Sequence, residues 1–201
     1  MTPDTASVTP DVLLAPLDPA YLADENPART GLRWSAFLSA DALPRAAALL
    51  LEAGWHLEDI CGLDVREGLM AVYHFDRMTS PGRLAIRVLA DRETPVLPSI
   101  ADIYQGAEWH ERETADFYGI AFTGNPNSMP LLLPEGMQGH PLLKDAAARA
   151  PLAALLAAQG REDTVLRKAE GFTLLEPAED AKPAKPAKAK AAATEEGADN
   201  A

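Results

Sequence analysis

Cysteine occurs once in the 201 residues, at Cys61, so an internal disulfide is excluded. A single thiol also falls short of the roughly four thiolates or equivalents that hold an iron–sulfur cluster. No run approaches the ~18 apolar residues of a membrane span. The opening residues MTPDTASVTPD have neither a basic region nor an apolar one, so the expectation is a chain that stays in the cytoplasm. Basic residues are scarce as well: 18 Lys and Arg stand against 30 Asp and Glu, giving a net charge of −12. A chain that neutralises phosphates needs a basic face, and this balance opposes nucleic-acid binding.

Signatures of chemistry are equally sparse. No dinucleotide fingerprint occurs, and Ser35, Ser39 and Ser128 have no nucleophile-elbow context. His56, His74, His110 and His140 form no recognised metal spacing; His110-Glu111 opens like a zinc-protease helix, but Thr114 stands where the second histidine belongs. Glu111, Glu113 and Asp116 are grouped acids of the kind that push pKa values apart. No nucleophile or oxyanion-donor motif accompanies them. The expectation is a chain with no catalytic residue, no metal site and no cofactor of its own.

What is present is a scaffold with an arm. Residues 1–32 are broken by Pro3, Pro10, Pro16, Pro19 and Pro27 and read as an irregular N-terminal arm. An α+β domain follows over 33–120. Leu43, Ala46, Ala47, Leu50 and Leu51 form a helical stripe, with Asp41 as N-cap and Gly54 as stop. Residues 55–63, 69–75 and 84–89 alternate as strands, separated by Arg66-Glu67-Gly68 and Thr79-Ser80-Pro81-Gly82; connections this short make them a small antiparallel sheet on which the helices pack. Pro95 and Pro98 end the exit of the third strand, and Ser99 caps a helix that runs through to Tyr118.

On that helix Ile100, Ile103, Tyr104 and Ala107 share a stripe with Glu111, Ala115 and Tyr118. Glu111 therefore occupies a packed face, where an ionised carboxylate must find a cation or several N–H donors, or else neutralise. Its partner is expected in the following arm or in another chain. Glu108, Arg112 and Asp116 fall at i, i+4 spacing and read as a solvated, salt-bridged face. Gly119 ends the helix. Over 121–145, Gly124-Asn125-Pro126, Pro130, Pro134-Glu135-Gly136 and Gly139-His140-Pro141 forbid regular structure and describe an extended, partner-binding arm. Met129, Leu131, Leu132, Leu133 and Met137 are its expected anchors, and Lys144-Asp145 closes it. Residues 146–175 read as a short helical segment around Pro151, and 176–201 as a low-complexity flexible tail.

The string Glu111-Arg112-Glu113, Asp116-Phe117-Tyr118-Gly119-Ile120, Phe122, Gly124, Pro126, Leu132-Leu133-Pro134, Gly139-His140-Pro141-Leu142 and Lys144-Asp145 resembles the signature of one family. It is the 30 kDa subunit family of the proton-pumping NADH:quinone oxidoreductase, respiratory complex I, with relatives in membrane-bound nickel-iron hydrogenases. The signature covers about a fifth of the chain. The arm departs from the family pattern at Met129-Pro130, where an arginine pair is usual, at Gly136-Met137, where an acid and a tryptophan are usual, and at Leu143, where an arginine is usual.

The resemblance implies a cofactor-free subunit of the peripheral arm on the cytoplasmic side of the inner membrane. It would pack on the large subunit related to the hydrogenase large chain, near the small iron–sulfur subunits that feed quinone. Iron–sulfur clusters, FMN or a nickel-iron centre would belong to partner subunits only. Glu111, Arg112, Glu113, Asp116 and Tyr118 would form the polar part of the interface. Gly119, Pro126, Gly139, His140, Pro141, Lys144 and Asp145 would shape and close the arm. A hydrogenase subunit and a free-standing binding protein are the alternatives.

Overall fold

A computed structural model describes residues 8–154. The expected tail over 176–201 lies outside the described residues, as does most of the segment expected to be helical over 146–175. The chain runs α1 (Pro10–Leu14), β1 (Tyr21–Asp24), α2 (Pro27–Thr30), β2 (Trp34–Leu38), α3 (Leu43–Glu52), β3 (His56–Val65), β4 (Gly68–Asp76), β5 (Leu84–Ala90), β6 (Val96–Pro98), α4 (Ala107–Tyr118) and β7 (Ala121–Thr123). The class is α+β, as the sequence implies.

The meander β3-β4-β5 is antiparallel throughout and forms the centre and one edge of a five-stranded sheet, ordered β1-β2-β5-β4-β3. Two features depart from the sequence expectation. β2 lies parallel to β5, with Trp34 opposite Leu84, so the sheet is mixed rather than purely antiparallel. The stretch before residue 33, expected to be irregular, supplies β1 antiparallel to β2, with Tyr21 opposite Phe37. Two of the prolines there, Pro10 in α1 and Pro27 in α2, sit at helix starts, where a missing N–H costs nothing. They therefore space short elements without disrupting a ladder.

The alternation along β4 and β5 feeds two apolar layers. Leu69, Ala71, Tyr73 and Phe75 join Leu84, Ile86 and Val88 under the α3 stripe of Leu43, Ala46, Ala47 and Leu50. On the opposite face Tyr21, Phe37, Met70, Val72 and Ala85 form a smaller cluster closed by Leu152. α3 begins after a short 3-10 turn at Ala40–Ala42, and Asp41 makes no side-chain cap; Pro44 in its first turn sets the start instead. Gly54, at a φ of +78°, ends it as expected.

α4 starts at Ala107, later than the expected start at Ser99. Pro98 is the last residue of β6, which pairs in parallel with β7, and the chain then turns through Ile100–Gly106. Ser99 caps that turn, its Oγ accepting from the Ala101 N–H at 3.1 Å. Beyond Asp145 the described residues form a 3-10 turn at Ala146–Ala148, Ala150 bridges to Val65, and residues 152–154 are helical.

α4 lies on edge strand β3 because Gly62 leaves room for it: a Cβ there would collide with the Tyr118 ring. Gly62→Ala should destabilise the chain by about 1–3 kcal/mol through overpacking. Urea denaturation checks this, and an unchanged midpoint would contradict the close approach of α4 to β3.

Candidate functional site

The site is the junction between α4 and the arm. Glu111 is fully buried, and it meets no cation among the described residues. Its Oε2 accepts from the Ser99 hydroxyl at 2.6 Å and the Asn125 side-chain amide at 2.7 Å, and its Oε1 from the Ile100 N–H at 2.8 Å. One carboxylate thus ties the turn before α4 to the arm after it. Burial nevertheless outweighs these donors and raises the Glu111 carboxyl above its ordinary value. Tyr73 lies beneath in the sheet; its own burial, with the Glu111 charge second, pushes its phenol upward.

The row Glu108, Arg112, Asp116 is not a solvated face. Arg112 pairs with Glu108 at 3.1 Å and donates to the carbonyls of Met129 and Pro130 at 2.8 and 3.1 Å. Asp116 Oδ2 accepts from the successive N–H groups of Leu131, Leu132 and Leu133 at 2.9, 2.8 and 3.1 Å. Burial alone would raise the Asp116 carboxyl, but those three donors and the Arg112 charge hold it below the usual range. A proline-rich segment cannot satisfy its backbone in a ladder, and α4 supplies the missing partners.

The end of the arm is fastened in the same way. Gly119 takes a φ of +76°, and a Cβ there would stand 2.6 Å from His140 Nε2. His140 Nδ1 donates to the Asp116 carbonyl at 2.8 Å, so the ring folds over the helix end. Gly139 supplies the turn at a φ of +79°. The Lys144 N–H then donates to Asp64 Oδ2 at 2.7 Å. Asp64 is buried on the core-facing register of β3 and also pairs with Arg92 and Arg149 at 2.8 and 3.3 Å. Burial opposes ionisation of Asp64, while the Lys144 N–H and the two guanidiniums prevail and lower it.

Of the residues named from sequence, Glu111, Arg112, Asp116, Gly119, Gly139, His140 and Lys144 are brought together by this fastening. Tyr118 packs half-buried over Gly62. Glu113, Pro126, Pro141 and Asp145 lie outside it, toward solvent. Glu111 turns both carboxylate oxygens inward, onto donors of its own chain, and presents nothing to a partner. Ser99, Asn125 and Asp64 belong to the fastening without having been named for it; Asp64 alone has a readable signal, as a carboxylate in phase with Ile60 on a strand. Of the expected apolar anchors, Leu131 and Leu133 are partly buried, whereas Met129, Leu132 and Met137 are 52%, 60% and 49% exposed. Between α4 and the arm runs a groove of about 430 Å³, with Ala115, Phe122, Leu133 and Met137 among its lining.

Residues 37–151 match the family model for the "Respiratory-chain NADH dehydrogenase, 30 Kd subunit". The C subunit of the NADH-quinone oxidoreductase of Roseiflexus sp. (strain RS-1) is 44% identical over 92 residues, 44% of this chain and 53% of that protein. Its counterpart in Acidithiobacillus ferrooxidans (strain ATCC 53993 / BNL-5-31) is 37% identical over 121 residues, 54% of this chain and 60% of that protein. The matched part thus spans about half to three-fifths of these relatives. Among solved structures, "Nqo5 of the trypsin-resistant fragment (1-134) in P63 form" superposes with a TM-score of 0.50 at 25% identity, covering 58% of this chain and 94% of that one. A chain of the "membrane-bound sulfane sulfur reductase (MBS), an archaeal respiratory membrane complex" shares the fold with a TM-score of 0.57 at 21% identity, covering 82% of this chain and 96% of that one.

Glu111→Ala strands buried donors and should cost about 2–4 kcal/mol in urea denaturation, with Glu111→Gln costing less. Between the ordinary and the raised carboxyl values the folded chain binds more protons than the unfolded one. The Glu111 contribution to stability therefore declines as pH rises through that window and levels off above it. Relative to the wild type, Glu111→Gln should gain as pH rises; a difference independent of pH would contradict a raised, buried carboxyl.

Proposed function

The chain belongs to the family of the respiratory-chain NADH dehydrogenase 30 Kd subunit, and from that premise we propose that it is a positional subunit of a complex I-type NADH:quinone oxidoreductase. In this reading it contributes no redox centre. It holds the large subunit related to the hydrogenase large chain and the small iron–sulfur subunits in register, on the cytoplasmic side of the membrane that carries proton translocation. Electron transfer falls steeply with distance, so a chain that fixes its neighbours sustains rate without chemistry of its own.

One observation carries the proposal: the arm is fastened to α4 through its backbone while five of its apolar side chains stay exposed. Asp116 and Arg112 take up the main-chain groups of residues 129–133. Met129, Leu132, Met137, Leu142 and Leu143 are left exposed, and Trp109 on α4 is 64% exposed. A rigid display of apolar and aromatic side chains with a polar rim is what a partner surface requires. In the described residues no helix is long and apolar enough to cross a membrane, so membrane attachment in this reading runs through the partners.

The tagged chain, purified from gently solubilised membranes, should bring iron-rich partners and an NADH-oxidising flavoprotein; nickel would instead assign it to the hydrogenase branch. The double substitution Leu132→Glu with Met137→Glu touches exposed side chains and should leave stability within about 0.5 kcal/mol. Recovery of the partners should fall about tenfold or more. Undiminished recovery would contradict the arm as the docking surface.

A further inference from the structure

A second constellation lies on β3 and β4, away from the arm. The two strands pair with Asp59 opposite His74, and Cys61 follows two residues along β3, so three ligand-bearing side chains rise from one sheet face. Their donor atoms all lie within 4.8 Å of one another. His74 Nδ1 is 2.5 Å from Asp59 Oδ1, and Cys61 Sγ is 3.6 Å from the same oxygen. A bulge between Leu57 and Asp59 re-aims the strand just before the cluster.

We propose that Asp59, Cys61 and His74 form a binding site for a divalent transition-metal ion of zinc-like character, with water completing the tetrahedron. Sulfur, imidazole nitrogen and carboxylate oxygen together are the donor set such a borderline-soft ion takes. Tetrahedral zinc bonds place ligand atoms roughly 3.4–3.6 Å apart. The Cys61–Asp59 separation already matches, and His74 and Asp59 need to part by about 1 Å, a side-chain adjustment on a fixed ladder.

Access and charge are compatible with a cation. An open cavity of about 440 Å³, with Thr30, Glu58, Arg83 and Arg87 in its wall, reaches Asp59 and His74. Arg83 is engaged bidentately by Glu58, and Arg87 donates to Ser35, so neither guanidinium takes the Asp59 carboxylate. A nucleophilic role for the cysteine fits poorly. Its thiol lies against Asp59, and partial burial with the Asp59 charge pushes it up to about 11, which keeps it protonated. A metal ion displaces that proton and binds the sulfur as thiolate.

The test uses the full chain, stripped with chelator and titrated with Zn²⁺ against a chromophoric competitor, and separately with Co²⁺. One equivalent of Zn²⁺ should bind, and the Co²⁺ form should show a thiolate-to-cobalt charge-transfer band with tetrahedral d–d absorption. Cys61→Ser should abolish the charge-transfer band, and it and His74→Gln should each weaken Zn²⁺ about tenfold to a hundredfold or more. Circular dichroism confirms that both variants keep the fold. Absence of stoichiometric binding, or binding that neither variant weakens, would overturn the proposal; neither outcome bears on the docking role of the arm.

Discussion

A carboxylate sealed from water is the constraint on which this molecule is arranged. Glu111 reaches the turn before α4 through Ser99 and Ile100 and the arm beyond it through Asn125. With no cation at hand among the described residues, its satisfaction depends on all these donors arriving together, so the helix, the turn and the start of the arm are positioned as one unit. Unmaking any of them leaves a buried polar group without a partner, which is costly in a dry interior. Glu111 acts inside the chain as an organiser, and the surface beyond it is built by its neighbours on α4.

Those neighbours convert a segment that cannot form a ladder into a fixed one. Asp116 collects consecutive N–H groups from Leu131 to Leu133, Arg112 takes carbonyls from Met129 and Pro130, and Asp64 takes the Lys144 N–H. These polar groups of the backbone are taken up internally while Met129, Leu132 and Met137 remain exposed. This inverts the usual arrangement of a surface loop. A segment ordered in advance loses less entropy on docking than one that must fold against its partner, and the exposed Leu132, Met137 and Trp109 acquire a defined geometry without being buried.

Much of the scaffold is legible in the sequence because its signals are local. The alternation in β4 and β5, the alanine-rich stripe of α3 and the stop at Gly54 rest on period and backbone conformation alone. The parallel pairing of β2 with β5 is not, since the partners are about 50 residues apart and nothing in either strand encodes the other. The packed position of Glu111 follows from helical phase, and where a partner is expected in the arm or in another chain, the arm supplies Asn125. The row from Glu108 to Asp116 reads only in part from sequence: the Glu108–Arg112 pair forms at its i, i+4 spacing, but such charges look alike whether they face water or a backbone that folds over them. The Asp59, Cys61, His74 grouping is invisible to spacing rules, because it assembles across two strands rather than along one helix.

The central claim is that the arm is held on α4 by the chain itself before any partner arrives. Backbone ¹⁵N relaxation on the isolated, full-length chain tests it most directly. Order parameters across residues 126–143 should lie near the ~0.85 of rigid backbone, matching β4 and α4. Values below about 0.6 over that stretch, with the sheet remaining rigid, would contradict the claim and make the arm a segment that orders only on its partner.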